Sequence, residues 1–513
     1  MGGTMRTLSL LGFLGLLAAG RPPERGFTDV TQESGVGEAV SRHLKSFPKI
    51  WLSGMTLVDL DGTGSLDLHL GSHSGPASPG AVLRNDGKGH FTYVDPKISI
   101  PRGPRASDPL PYPGGEIRLV WDINEDGKQD LLCSWHDGGG ALYLNESTPS
   151  EWSFRRSELL DPFSRAVAIG DLNGDGQLDY IAGHDRSDKI TLLLGKKGGG
   201  FEKAPPIPGL QESGAILVDL DGDGKLDLVV SQRGYSPTRR MILHNEGNLK
   251  FTPVTAEAGL DENAGNIQGV GDLNGDGFPD LIAIEGHDIV LYMNDGKGHF
   301  KARPNAIKGL ERAKNKPHYT NWGAAIVTDF DNDGIPDLII DGRNFLYVLR
   351  GLGGGDFAYM NDVWGIPDGA WSAVDEGLCF GDVDGDGMLD LVVCTKGPEG
   401  QERGVALLRN DLPKRHFVRV RPVGKPGNRP AAGAIIRITP PGDPKTLLWQ
   451  EQVAIWGRQS VHSYYAASQT ERHYGLGDRA QVDVRVTFHP SGTVVERKGV
   501  KADQTIVIEE EKP

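Results

Sequence analysis

Seven copies of a nine-residue, aspartate-rich segment recur along this chain. Each copy begins and ends with Asp, carries Gly at position 6, and places oxygen-bearing side chains at positions 1, 3, 5 and 9. Ca²⁺ takes about six to eight oxygen ligands in a flexible shell, and the position 7 carbonyl can add to such a set. Glycine suits position 6 because a sharp turn there needs a positive φ angle. The copies, which we number loops 1 to 7, begin at Asp59, Asp122, Asp171, Asp219, Asp272, Asp329 and Asp382.

The regular spacing of these loops predicts the architecture. Successive loops begin at similar intervals from Asp59 through to Asp382. Short apolar or alternating runs flank each loop, which predicts a strand on either side. A period of about 50 residues with several short strands per unit is typical of a propeller or a repeat array. We therefore predict an all-β fold built on a seven-bladed β-propeller.

The candidate metal ligands are the residues at positions 1, 3, 5, 7 and 9 of each loop, and we expect up to seven Ca²⁺ ions. A ranking by carboxylate count predicts the tightest binding in loops 4, 6 and 7 and the weakest in loop 1, where Thr63 replaces a carboxylate. The alternative is that some loops are Asx-turns without an ion. The candidates are Asp59, Asp61, Thr63, Ser65 and Asp67; Asp122, Asn124, Asp126, Lys128 and Asp130; Asp171, Asn173, Asp175, Gln177 and Asp179; Asp219, Asp221, Asp223, Lys225 and Asp227; Asp272, Asn274, Asp276, Phe278 and Asp280; Asp329, Asp331, Asp333, Ile335 and Asp337; and Asp382, Asp384, Asp386, Met388 and Asp390.

The charge balance agrees with a cation-binding role. The chain has a net charge of −15, and 25 of its 69 acidic residues lie in the seven loops. Bound Ca²⁺ would neutralise much of that charge. The sequence has no basic stripe of the kind that binds nucleic acid, so we expect no nucleic-acid partner.

The second half of each unit adds a further motif. The strings LRNDGKGHF (83–91), LHNEGNLKF (243–251) and YMNDGKGHF (292–300) each place a Gly-containing turn before a Phe that begins a strand. With the loops, these units resemble the FG-GAP/VCBS repeats of integrin-α-type propellers over about residues 27–412. The resemblance implies an integrin-α-type propeller. Because the clustered carboxylates of each loop would repel one another without an ion, we expect calcium to have a mainly structural role.

The segment from Phe27 to Val36 closely matches the segment from Phe251 to Leu260. The second copy follows an Asn-Gly-type turn and is the outer strand of a blade. We therefore predict that residues 27–31 complete the seventh blade and close the ring, which removes an open sheet edge. The alternative is a loose N-terminal arm.

Residues 1–20 predict a secretory signal peptide, since an Arg and a short apolar run precede Ala18-Ala19-Gly20. That run is too short for a transmembrane helix, and no later stretch predicts one. We expect a secreted, periplasmic or cell-surface protein.

The connection after each loop's second strand should emerge at the opposite end of the propeller. One basic or titratable residue per blade falls there, which suggests a ring that binds an anionic or metal-bridged ligand. Ordinary loop polarity is the alternative. Trp51, Trp322 and Trp371 precede inner strands and either pack between blades or stack on sugars. The seven candidate ligand-binding residues are His73, His136, His184, Arg233, His287, Arg343 and Lys396.

Three cysteines are present, without a metal-binding spacing. Cys379 and Cys394 flank loop 7, so either a cross-strand disulfide or two buried thiols fits, and Cys133 is expected to be a core thiol.

Residues 413–513 predict a small antiparallel, β-sandwich-like domain, because short alternating runs are separated by Pro and Gly turns. The strings NRPAAGAIIRI, RHYGLGD, VRVTFHPSGTV and ADQTIVI resemble the ASPIC/UnbV domain. That domain follows FG-GAP propellers in proteins similar to the cartilage acidic protein family.

No GxSxG, phosphate-binding or HExxH motif is present, so we do not expect an enzyme. We expect a binding or adhesion module for an extracellular or envelope protein or a glycan. The alternative is a lectin or carbohydrate-active enzyme that uses the propeller axis or top face.

Overall fold

The structure is a computed structural model. The residues it describes are 26–47, 52–72, 80–94, 116–134, 140–148, 153–157, 166–183, 190–207, 213–232, 239–313, 323–342, 345–366, 378–395, 404–457 and 471–510.

Seven mainly antiparallel sheets form the propeller, and the described residues are all-β apart from short helices. Every blade has four strands, which in blades 1 to 6 follow one another along the chain from the inner to the outer edge. The first three blades comprise β2 (Leu52–Val58), β3 (Asp67–Ser72), β4 (Ala81–Asn85) and β5 (Phe91–Val94); β6 (Glu116–Trp121), β7 (Asp130–Ser134), β8 (Gly140–Asn145) and β9 (Phe154–Ser157); and β10 (Ala166–Gly170), β11 (Asp179–Gly183), β12 (Ile190–Gly195) and β13 (Phe201–Ala204).

Blades 4 to 7 repeat the pattern, and blade 6 carries an extra outer strand. Their strands are β14 (Ser213–Val218), β15 (Asp227–Gln232), β16 (Arg239–Asn245) and β17 (Phe251–Pro253); β18 (Asn266–Gly271), β19 (Asp280–Glu285), β20 (Asp288–Asn294) and β21 (Phe300–Ala302); β23 (Gly323–Thr328), β24 (Asp337–Gly342), β25 (Phe345–Gly353) and β26 (Asp356–Tyr359), with β22 (Ile307–Lys308) outside β26; and β27 (Leu378–Gly381), β28 (Asp390–Thr395), β29 (Gly404–Asn410) and β1 (Phe27–Asp29).

The ring closes through its N-terminal strand, as the sequence predicted. Strand β1 pairs antiparallel with β29, with Phe27 opposite Asn410 and Asp29 opposite Leu408. Helix α1 (Val36–Ser46) follows and packs its buried Val36 and Val40 across blades 7 and 1. The closure therefore rests on both strand pairing and an apolar helix face. The short α2 (Asn361–Trp364) and a 3₁₀ turn (Leu310–Arg312) follow β26 and β22, the two outer strands of blade 6.

Buried asparagines connect neighbouring blades. The Nδ2 group of Asn145 in blade 2 donates to the Leu60 carbonyl in loop 1 at 3.0 Å. Asn245 in blade 4 donates in the same way to Leu172 in loop 3 at 3.1 Å. In both cases the acceptor is the carbonyl at position 2 of the preceding blade's loop. The same bond is made by Asn85, Asn294 and Asn410.

The cysteines do not lie opposite each other across the β27–β28 hairpin. Cys379 is opposite Val392, whereas Cys394 pairs with Val405 on the next strand. Cys379 is a buried thiol, as is Cys133. The side chain of Cys394 lies outside the described part of the chain.

The C-terminal domain is a two-sheet sandwich. Val418 and Val420 on one sheet share a buried core with Ile436, Ile438 and Val484 on the other. That core continues into blades 2 and 3. The sheets are β34 (Arg472–Gly477), β30 (His416–Val423) and β37 (Gln504–Glu509), and β32 (Trp449–Gln452), β31 (Ile435–Thr439), β35 (Gln481–Thr487) and β36 (Val494–Lys501). The predicted antiparallel pairing is wrong for one pair, since β30 and β37 run parallel.

This domain sits on the end of the propeller that carries loops 1 to 7, which we call the loop face. Gly427 donates its N–H to Glu125 Oε1 in loop 2 at 2.5 Å and accepts from the N–H of Leu178 in loop 3 at 3.0 Å. The Gly477 N–H donates to the Asn332 carbonyl in loop 6 at 2.8 Å. The domain therefore contacts the loop face on opposite sides of the ring.

A short strand of the domain also enters the propeller axis. Strand β33 (Ile455–Gly457) pairs with β10, the inner strand of blade 3. Nearby, Gln452 Oε1 accepts from the Asp219 N–H in loop 4 at 2.7 Å, and Gln450 Nε2 donates to the Gly277 carbonyl in loop 5 at 2.5 Å. The two domains thus share a sheet as well as side-chain contacts.

We predict that Phe27→Ala will reduce the free energy of unfolding by about 3–5 kcal/mol, because it removes a buried aromatic side chain. Phe27 is 6% exposed, and its ring centroid lies 6.0 Å from that of Phe330 and 6.4 Å from that of Trp364. Denaturant unfolding measures the effect.

Thr28→Ser is the control for this variant, since Thr28 is an exposed neighbour on β1 and Ser keeps the hydroxyl that donates to Asp411. It should change the free energy of unfolding by under about 0.5 kcal/mol. Equal effects of the two variants would contradict a closing role for β1.

Candidate metal centre

The first Asp of each loop organises the turn. In loop 3, Asp171 Oδ1 accepts the N–H of Gly174 at 2.7 Å and of Asp175 at 3.1 Å, and its Oδ2 accepts the N–H of Gly176 at 2.8 Å. Gly176 has a φ of 83°, as the position 6 turn requires. Equivalent bonds form in the other six loops around Asp59, Asp122, Asp219, Asp272, Asp329 and Asp382.

The last Asp of each loop is the first residue of the second strand and is buried. In blade 2, Asp130 Oδ2 accepts the N–H of Ile123 at 2.9 Å, and Oδ1 accepts the N–H of Asn145 on the third strand at 2.7 Å. One carboxylate therefore ties the loop to two strands. The same arrangement holds for Asp67, Asp179, Asp227, Asp280, Asp337 and Asp390.

Positions 3 and 5 hold their side chains in place by local bonds. In loop 5, Asn274 Oδ1 accepts the Asp276 N–H at 2.8 Å, and Asp276 Oδ1 accepts the Phe278 N–H at 2.9 Å. Each bond uses one oxygen and fixes the side-chain direction. The predicted ligand at position 7 is the backbone carbonyl. The N–H of the same residue donates to the position 5 carboxylate, as Phe278 does to Asp276.

The loops bring oxygen atoms together at distances suited to one ion. Loop 4 holds Asp219, Asp221 and Asp223 with one ligand atom of each within 4.8 Å of the others. Loops 1, 6 and 7 form comparable carboxylate groups, and loops 2, 3 and 5 have an amide oxygen at position 3 instead. A hard, all-oxygen donor set of this kind fits Ca²⁺. Bound Ca²⁺ would supply a positive charge that cross-links carboxylates which otherwise repel one another.

Loop 4 differs by including an imidazole. His244 Nδ1 lies 3.1 Å from Asp227 Oδ1 and 3.4 Å from Asp221 Oδ2. Lys225 pairs with Asp223 in the same loop. In loop 1, Arg84 Nε lies 2.9 Å from Asp61 Oδ2. The residue that precedes the last position of the third strand therefore faces the loop.

Burial raises the pKa of the carboxyls at the base of the loops. It raises the pKa of Asp67, Asp130 and Asp179 to about 7, although backbone N–H groups oppose the shift. Asp280 behaves in the same way, with a pKa of about 7. A bound cation would favour the ionised form and lower these pKa values.

Of the seven residues predicted to bind a ligand, the described residues include His287. It is exposed in the turn between β19 and β20, at the end of the propeller opposite the loop face. The other six, and Trp51, Trp322 and Trp371, lie outside the described residues and stay predictions. The other six are His73, His136, His184, Arg233, Arg343 and Lys396.

A cavity of about 300 Å³ lies at the propeller axis beneath the C-terminal domain. Val218, Val327 and Phe380 of the inner strands form part of its apolar wall. Arg472 and Glu471 border it from the C-terminal domain, and burial raises the pKa of Glu471. The sequence interpretation did not find this cavity, because its walls come from separate blades.

Two family models match the chain. The FG-GAP-like repeat model matches residues 122–182, 171–230, 272–340 and 329–393, and the ASPIC and UnbV model matches residues 424–513. The chain therefore contains FG-GAP-like repeats followed by a C-terminal ASPIC and UnbV domain. The resemblance identified from the sequence is confirmed.

Similar proteins cover part of this FG-GAP-repeat chain. Cartilage acidic protein 1 of Xenopus tropicalis is 24% identical over 283 residues, or 50% of this chain and 42% of that protein. Integrin alpha-V of Gallus gallus is 21% identical over 318 residues, or 56% of this chain and 27% of that protein. The matches thus span less than half of each relative. The solved structure of an Agrocybe aegerita lectin specific for non-reducing terminal N-acetylglucosamine is 18% identical, covers 61% of this chain and 81% of its own, and has a TM-score of 0.41.

Among the described residues, none of the helices has the length and hydrophobicity needed to cross a lipid bilayer. The predicted signal peptide, residues 1–20, lies outside the described residues.

We predict that the ion-free protein loses stability as the pH rises from about 4 to about 7. Asp67, Asp130 and Asp179 have folded-state pKa values of about 7, against about 3.9 when unfolded. Their contribution is therefore fully present below about pH 4 and is lost as the pH rises through about 7. Buried His69 and His473, with pKa values of about 4 and 3, act in the opposite direction but are fewer.

Thermal unfolding of ion-free protein at about pH 5 and about pH 8 measures this dependence. The melting temperature should be higher at the lower pH. Added calcium is the control and should reduce the difference, because the ion competes with protons for the same oxygens. A higher melting temperature at the upper pH without ions would contradict the prediction.

Proposed function

We propose that this protein is exported and acts as a calcium-stabilised binding module for an extracellular or envelope partner. In this proposal the loops hold structural Ca²⁺, and the partner binds at the end of the propeller opposite the loop face. The observation that carries the proposal is the position of the C-terminal domain, which lies on the loop face and places β33 at the axis. The C-terminal domain therefore occupies the loop face, and the opposite end of the propeller is left for a partner.

The electrostatics of the loops support a structural role for the ion. Asp130 in loop 2 and Asp280 in loop 5 are buried, and burial raises the pKa of each to about 7. Holding such groups ionised at neutral pH requires a nearby positive charge. Calcium supplies that charge and is abundant outside cells, where weak sites are filled.

We propose binding rather than catalysis. The loop carboxylates at positions 1 and 9 each accept backbone N–H groups with both oxygens, as Asp171 and Asp130 illustrate. Groups fixed in this way are suited to holding an ion and shaping a turn. The predicted basic residues at the opposite end, one per blade, are suited to contacting an anionic protein surface or an acidic glycan.

The test uses full-length protein on an immobilised glycan panel and, in parallel, as bait for envelope proteins. Removing two positive charges with Arg233→Ala and Arg343→Ala should weaken capture about tenfold or more, which corresponds to about 1.4 kcal/mol. The melting temperature should stay unchanged. Capture on the panel would identify a glycan partner, and capture of envelope proteins would identify a protein partner.

Lys498→Ala is the matched control, since Lys498 is exposed on β36 of the C-terminal domain. It should leave capture unchanged. Equal capture by the wild type and the double variant would refute binding at the end opposite the loop face.

A further inference from the structure

We propose that loops 6 and 7 do not bind calcium and instead receive basic side chains that fasten the C-terminal domain. This inference rests on the proposed function, because it divides the seven loops into ion-binding loops and docking loops. Both loops carry four Asp residues, so a count of carboxylates alone ranks them among the best calcium sites. The side chains that surround them give the opposite ranking.

Loop 6 already contains two guanidinium groups. Arg350 Nε lies 2.8 Å from Asp331 Oδ2, and its Nη2 lies 2.9 Å from Asp333 Oδ2. Arg415, which follows the last propeller strand, places Nη1 3.2 Å from the same Asp331 Oδ2 and donates to the Asp331 carbonyl at 2.8 Å. Asp331 is 4% exposed, so these cations pair with a buried carboxylate.

Loop 7 receives its cations from the start of the C-terminal domain. Arg419 on β30 pairs with Asp382 Oδ2. Lys414 Nζ lies 3.2 Å from Asp386 Oδ2. Positions 1 and 5 of this loop are therefore each paired with a basic residue from one short stretch of chain. Lys414, Arg415 and Arg419 together contact both loops.

The Arg419 side chain is held in position by stacking. Its guanidinium lies 4.7 Å from the centroid of the Phe417 ring. That ring stacks on His473 at 5.2 Å, and His473 Nε2 lies 2.7 Å from Asn332 Oδ1 in loop 6. A cation held over an aromatic ring loses little further freedom when it pairs with a carboxylate. Arg419, Phe417 and His473 of the C-terminal domain thus form one contact with loops 6 and 7.

A calcium ion and these side chains compete for the same oxygen atoms. Ca²⁺ binds carboxylate oxygens at about 2.3–2.6 Å. An ion bound to Asp331 would lie within a few ångströms of two guanidinium groups, and like charges at that distance repel strongly. Calcium would have to displace Arg350 and Arg415, which would open the contact between the domains.

Loops 2, 3 and 5 show the contrast. The position that Arg350 occupies in blade 6 is taken by Leu144 in blade 2, Leu194 in blade 3 and Met293 in blade 5. Met293 Sδ lies 3.8 Å from Asn274 Nδ2, which shows that this position faces the loop. These side chains bring no charge, so loops 2, 3 and 5 keep their oxygens for an ion.

Equilibrium dialysis of the full chain with radioactive calcium at millimolar concentration tests the inference. The variants change the position 5 carboxylate to an amide, one loop at a time. Asp126→Asn in loop 2 and Asp276→Asn in loop 5 should each lower the bound calcium by one ion per chain. Asp333→Asn in loop 6 and Asp386→Asn in loop 7 should leave it unchanged.

A second set of variants removes the cations and keeps the carboxylates. Arg350→Met combined with Arg415→Gln should add one bound ion per chain, since Met is the residue that blade 5 uses at this position. Arg421→Gln is the control, because Arg421 is exposed on the same strand as Arg419. It should add none. Circular dichroism confirms that each variant is folded.

The two proposals fail in different ways. Seven ions in the wild type, or loss of an ion in Asp333→Asn and Asp386→Asn, would overturn the docking role of loops 6 and 7 and leave calcium binding intact. No bound calcium in any variant would refute the calcium role of all the loops, and this inference with it.

Discussion

The buried carboxylate at the last position of each loop is the interaction on which the rest of the structure depends. It accepts one N–H from its own loop and one from the third strand, as Asp130 does from Ile123 and Asn145. Burying a carboxylate is costly unless its oxygens are satisfied and its charge is balanced. Backbone N–H groups satisfy the oxygens with hydrogen bonds, and a cation beside the loop balances the charge. This one buried carboxylate therefore shapes the turn, ties the loop to the third strand and creates the need for a cation.

The same site connects the blades to one another. Asn145, whose N–H binds Asp130, uses its side-chain amide to reach the carbonyl of Leu60 in the preceding blade. The geometry of one loop is thereby transmitted to its neighbour around most of the ring. Blades 3 and 6 have Gly195 and Gly351 at this position and lack the bond. Apolar packing between inner strands joins those blades, and the C-terminal core reaches blades 2 and 3.

Local patterns in the sequence predicted the features that are themselves local. The loops, their flanking strands and the Phe that starts most outer strands each depend on a few adjacent residues. Ring closure was predicted because Phe27 to Val36 repeats a segment found elsewhere in the chain. The all-β propeller and the second β-domain followed from these patterns, and the family models agree with them.

Features that need distant residues were not predicted. Asn145 reads locally as a turn residue, and nothing beside it in sequence shows that its amide binds another blade. Arg419 lies in an alternating strand pattern and Arg415 lies just before it, so their contacts with loops 6 and 7 depend on how the domains pack. The short strand β33 gives too little pattern to recognise, and its partner β10 lies in a blade far earlier in the chain. Helix α1 was not predicted from the sequence either, because it is a single short element that follows the closing strand.

The central claim is that cations in the loops hold the propeller together, and thermal unfolding at neutral pH with calcium and with excess chelator tests it most directly. Each site at a hundredfold excess over its Kd contributes about 2.7 kcal/mol, so several sites predict a drop of at least about 10 °C on chelation. Adding calcium back should restore the melting temperature. An unchanged melting temperature in chelator would contradict the account and would leave the loops as turns that need no ion.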